Sequence, residues 1–68
     1  MNFCDALSDL LTGRNISVPQ LAEMIGVKPS TPYFWTKGRS VPGKDRLDDI
    51  INALGLEPKM ANQLIELR

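Results

Sequence analysis

The stretch Ile16-Ser17-Val18-Pro19-Gln20-Leu21-Ala22-Glu23-Met24-Ile25-Gly26-Val27-Lys28-Pro29-Ser30-Thr31-Pro32-Tyr33-Phe34-Trp35-Thr36-Lys37-Gly38 holds two short helical patterns separated by a tight Gly26-Val27-Lys28 turn. Ser17 is a good N-cap, and Gln20 stands three residues on, where its side chain reaches back to the Ser17 amide. Pro19 falls in the first turn, where a backbone donor is dispensable. Leu21, Ala22 and Ile25 share one helical face, and Gly26 supplies a positive-φ stop. Pro29, Ser30, Thr31 and Pro32 then offer start signals for a second helix through Tyr33, Phe34, Trp35, Thr36 and Lys37, closed by Gly38. A start at Pro29 and a start at Pro32, with Thr31 as N-cap, both fit the pattern; the later one leaves about two turns. A helix, a glycine turn and a second helix read as a helix-turn-helix over residues 17–38, a unit whose second helix suits a DNA major groove.

The flanking sequence supplies the rest of an all-α domain. Asn2 caps a first helix with Asp5 in its first turn, and Phe3, Leu7, Leu10 and Leu11 form one apolar stripe that Gly13 ends. Arg39-Ser40-Val41-Pro42-Gly43-Lys44 is a polar, turn-rich connector. A fourth helix follows from Lys44 or Asp45, with Leu47, Ile50, Ile51 and Leu54 inward and Gly55 as its stop. Pro58 opens a fifth, whose apolar face comprises Met60, Ala61, Leu64, Ile65 and Leu67. That face either closes a five-helix bundle or also serves self-association. Leu21, Ile25, Val27 and Trp35 are expected as the motif's internal core.

Sixty-eight residues make one small domain, 1–68, close to the lower limit for a core without staples. The single cysteine, Cys4, forms no internal disulfide and falls on the first apolar pattern, so it reads as a packed residue. There is no histidine, no nucleophile–base pairing, no glycine-rich phosphate loop and no metal-ligand spacing, so neither an enzyme nor a metal or other cofactor is expected. Asp48 and Asp49 are neighbours in sequence but diverge on a helix and read as solvated surface. No apolar run approaches the ~20 residues of a membrane span and no signal peptide is visible, so a cytoplasmic protein is expected, with no membrane partner and no small-molecule ligand. Net charge is zero, yet unevenly placed. Residues 28–46 hold Lys28, Lys37, Arg39, Lys44 and Arg46 against Asp45 alone, net +4, while the segments before and after are each −2. The basic excess coincides with the second motif helix and the loop after it, where a phosphate backbone would run.

The run Ile16-Ser17 through Leu21-Ala22, Gly26-Val27, Trp35, Gly38 and Pro42, ending at Ala53-Leu54-Gly55-Leu56, resembles the phage repressor and Cro-type (xenobiotic-response-element) helix-turn-helix family over residues 3–56. The resemblance implies a five-helix, lambda-repressor-like bundle. It further implies a sequence-specific transcriptional regulator that binds a palindromic double-stranded operator as a homodimer. The chain departs from the family at Pro32, where an aliphatic residue is usual, and at Val18, where a polar one is. Leu11 and Thr36 occupy places where members often pair an arginine with a glutamate. Both partners of that pair are replaced together, which leaves no uncompensated charge.

Carried onto this sequence, the resemblance places Pro29, Ser30 and Phe34 at base edges, with Thr31 and Tyr33 at the margins. None is a bidentate reader of adenine or guanine, so thymine-methyl contacts and DNA shape are expected to carry specificity. The phosphate grip is expected from Lys28, Lys37, Arg39 and Lys44 and from the start of the first motif helix, Ser17, Val18 and Gln20, through free N–H groups. Two other readings stand beside this one. Tyr33 and Phe34 suit an aromatic patch for a protein partner, and the chain suits the DNA-binding part of a longer repressor or an antitoxin.

Overall fold

In the computed structural model, which describes residues 2–68, the chain runs through α1 (Phe3–Gly13), α2 (Val18–Ile25), α3 (Ser30–Thr36), α4 (Lys44–Leu54) and α5 (Pro58–Leu67), with no strand among the described residues. The starts follow local chemistry. The Asn2 side chain accepts from the Asp5 N–H at 2.9 Å. At α2 the capping box closes in both directions: the Ser17 N–H donates to Gln20 Oε1 at 2.7 Å and the Gln20 N–H to Ser17 Oγ at 3.2 Å. Pro58 occupies the first turn of α5, and α4 begins at Lys44 after Gly43.

Helices α1 to α4 all leave through a left-handed residue: Asn15 (φ 56°), Gly26 (73°), Gly38 (75°) and Gly55 (62°). The next N–H in each case donates to the carbonyl five residues back, Ile16 to Leu11, Val27 to Ala22, Arg39 to Phe34 and Leu56 to Ile51, at 2.9–3.1 Å. The stop of α1 therefore differs from expectation. Gly13 is still helical, and Asn15 makes the turn, a position asparagine tolerates better than most residues with a Cβ.

Leu7, Leu21, Leu47, Ile50 and Leu64 are fully enclosed, with Phe3, Leu10, Leu11, Ile25, Trp35 and Leu54 around them. One cluster thus joins residues from all five helices, as a domain of this size requires. Helix α1 packs on α3 and α5, while α2 packs on α3 and α4. Ala22 is buried with Leu21 and Ile25 on the inward face of α2. Two sequence expectations need correction. The 39–44 connector is not wholly a polar loop, because Pro42 is fully buried, although its neighbour Val41 is exposed. On α5, Ala61 and Leu64 are buried and Met60 and Leu67 half-buried, but Ile65 stands out at 49% exposure. Ile65, one turn after Ala61, lies at the edge of the face that Met60, Ala61, Leu64 and Leu67 turn to the core, so the apolar face is wider than the core it covers.

Candidate nucleic-acid interface

Helix α3 resolves the two possible starts. It begins at Ser30 with Pro29 as N-cap, the Thr31 N–H donating to the Lys28 carbonyl at 3.0 Å and the Tyr33 N–H to the Pro29 carbonyl at 3.3 Å. Pro32 is the third helical residue. Its absent N–H would have had no intrahelical acceptor, so the proline forfeits no bond. Its ring is fully buried, in the place of the aliphatic residue it replaces, and Trp35 one turn on is 4% exposed. These two residues form the inward face of α3.

Opposite them, Ser30, Tyr33, Phe34 and Lys37 are spaced i, i+3, i+4 and i+7, and all four are exposed. Tyr33 is 47% and Phe34 40% exposed, their rings edge to face with centroids 6.0 Å apart. Lys37 Nζ lies 5.4 Å from the Tyr33 ring centre, a cation–π contact that keeps this charge on the same face. Thr31 is half-buried and Pro29 exposed. Lys28 precedes the helix and Arg39 follows it, so a positive side chain stands at each end. Lys44, exposed, opens α4. Thr36, in a place where a charged residue is usual, donates instead to the Tyr33 carbonyl at 2.8 Å, and Leu11 is buried. Among the described residues no charged side chain is buried.

The helix-turn-helix family model matches residues 6–59. This chain belongs to the phage repressor/Cro-type helix-turn-helix family. No curated protein and no solved structure matches it. Members of this helix-turn-helix family are regulators that act by binding DNA rather than by catalysis, and the chain is a DNA-binding transcriptional regulator of that type.

Within that frame, the start of α2 offers less to a phosphate than expected. The capping box consumes the Ser17 and Gln20 backbone donors, and Pro19 has none. Val18 is left as the one first-turn residue whose N–H the box does not use, and its side chain is half-buried against the core. The Ser17 hydroxyl and the Gln20 amide nitrogen remain free to donate, because only their oxygens serve the box.

Arg46 is the residue that sequence reading missed. Its guanidinium donates to the Ile25 carbonyl at 3.4 Å and to Asp49 at 3.2 Å. It thereby fastens the end of α2 to α4 beside the motif turn, and its charge is matched locally. The basic excess near α3 therefore rests on Lys28, Lys37, Arg39 and Lys44. The i, i+3 spacing of Arg46 and Asp49 was visible in the sequence; the Ile25 contact, 21 residues away, was not.

Proposed function

We propose that this chain, as a single domain over residues 1–68, is a small phage or prophage repressor of the Cro kind, acting in the cytoplasm by occluding a promoter. The carrying observation is the α3 stripe of Ser30, Tyr33, Phe34 and Lys37, presented opposite the buried Pro32 and Trp35 and bracketed by Lys28 and Arg39. Pro29, Ser30 and Phe34 face base edges in this reading, with Thr31 and Tyr33 beside them. Ser17, Val18, Gln20, Lys28, Lys37, Arg39 and Lys44 hold the sugar-phosphate backbone. Without a bidentate side chain on α3, thymine-methyl contact and DNA shape supply the specificity.

The operator is roughly palindromic and is bound by a homodimer, one α3 per half-site, with half-sites about 34 Å apart. A groove of about 530 Å³ between α1 and α5 supports pairing of two copies there: Ala6, Leu10, Met60, Leu64 and Leu67 floor it, and Asp9, Arg14 and Glu66 stand at its rim. Such a rim carries both signs of charge, so it suits the self-complementarity that a two-fold interface needs.

Selection from a random duplex pool, followed by titration at two salt concentrations, tests the reading. A palindromic consensus is expected, with affinity falling steeply as salt rises. Arg39→Ala and Lys44→Ala should each weaken all sequences alike and lower the salt slope by ~0.9. A second reading, favoured by the exposure of Tyr33 and Phe34, makes this face a protein-binding patch. It prevails if neither charge substitution alters DNA affinity while Phe34→Ala abolishes a protein complex.

A further inference from the structure

We infer that the outward face of α3 reads the C5-methyl group of a pyrimidine without reading the polar group beside it, so that 5-methylcytosine in duplex DNA substitutes for thymine. This rests on the DNA-binding reading above and narrows its ligand.

In the major groove thymine shows a methyl group and the O4 acceptor, whereas cytosine shows the N4 donor and no methyl. Adding a methyl to cytosine C5 therefore gives it thymine's apolar feature with the opposite polar one. Only a side chain committed to donating or to accepting separates the two. The residues that the reading above sets at base edges include none, and donor-only Lys28, just before α3, is assigned there to the sugar-phosphate backbone. Pro29 lacks an N–H, Phe34 is apolar, and the Ser30 and Tyr33 hydroxyls each donate or accept as required. Lys37 is donor-only but lies at the C-terminal end, over the Tyr33 ring. What the face does offer is apolar surface: the Phe34 ring is 40% exposed and the Tyr33 ring meets it edge to face. Lys28 and Arg39 at the two ends supply the positive charge that attracts duplex DNA to this surface.

The test uses the selected operator with each half-site pyrimidine replaced in turn. Two comparisons change one methyl group and nothing else: thymine against uracil, both opposite adenine, and 5-methylcytosine against cytosine, both opposite guanine. Enclosing one methyl is expected to strengthen binding about 4-fold in each comparison at one position or more. Thymine and 5-methylcytosine at that position should agree within about 5-fold, below the range a bidentate contact imposes. Phe34→Ala should cut both methyl effects to under about 2-fold, and Phe34→Leu should restore part of them, with thermal melting showing that each variant is folded. Equal affinity within each methyl pair at every position, or a preference for thymine over 5-methylcytosine above about tenfold, overturns the inference alone. Failure to bind any duplex overturns the DNA-binding reading and this inference together.

Discussion

The two helices of the motif lie side by side and are held in opposite ways. Helix α2 adds closures of its own to its packing: a reciprocal capping box at its start and a left-handed glycine at its end, beside Leu21, Ala22 and Ile25 inward. Helix α3 has no side-chain cap and is the shortest of the five, at 7 residues. It keeps its place through Pro32 and Trp35 alone on its buried face. Too short to be stable by itself, α3 depends on tertiary contact for its existence. The arrangement frees every outward position of α3 from structural duty, whereas α2 uses even its first-turn donors to hold itself together. The ends repeat the contrast. After the left-handed residue, α1, α2 and α4 continue into Ile16, Val27 and Leu56, all half-buried against the core, while α3 continues into exposed Arg39. The same backbone turn tucks an apolar side chain under the fold three times and once sends out a cation.

The largest expected effect follows from removing the anchor of α3. Trp35→Ala should cost about 3–5 kcal/mol, as truncation of a large buried aromatic does. Against a stability near the low end of the usual ~5–15 kcal/mol, where so small a domain belongs, that removes more than about half of it. Urea unfolding followed by circular dichroism measures it, and a loss under about 1 kcal/mol would show that α3 does not hang on this residue. A smaller effect is expected at α2. Ser17→Ala removes one half of the capping box and should cost about 1 kcal/mol, lowering the melting temperature by about 4–8 °C. Gln20→Ala should overlap with it, the double variant losing less than the two single losses combined, because each change breaks the same reciprocal pair. Additive losses would mean that the two hydrogen bonds act independently.

This contrast also explains which parts of the molecule were legible in the sequence. The capping box at Ser17 and Gln20, the stops at Gly26, Gly38 and Gly55, and the apolar spacing of α1, α2 and α4 are local features, each written within a few residues, and they appear in the structure where the pattern put them. Prolines were harder. Pro29 and Pro32 both signal a helix start, and choosing between them depends on whether the Pro32 ring has something to pack against, which is a property of the assembled bundle. Pro42 stands among polar and turn residues and reads as punctuation, yet it is fully buried. Arg46 was counted as part of a basic patch because charge is legible at any position, while the Ile25 carbonyl that engages it is reached only through the packing of α4 on α2. At the start of α2 two local signals competed for the same N–H groups, capping and phosphate binding, and the nearer acceptor took them.

The smallest effect on stability, and the sharpest test of the contrast, lies on the outer stripe of α3. Phe34→Ala changes a residue that is already 40% exposed and lies outside the buried core, so unfolding free energy should stay within about 0.5 kcal/mol of the parent. Tyr33→Ala also deletes the Lys37 cation–π contact, worth about 0.5–1 kcal/mol at an exposed site, and should fall slightly lower. Neither substitution touches Pro32 or Trp35, so α3 should persist in both, with near-parental helix content. The same Phe34→Ala change should nevertheless alter which duplexes emerge from selection, since the lost ring is the largest apolar group facing the bases in the proposed arrangement. A residue nearly silent in the melt and loud in the binding assay is what a helix divided between anchoring and reading requires. Should Phe34→Ala destabilise the chain as much as Trp35→Ala, the two faces of α3 would not be separate in function, and the outward ring would belong to the core.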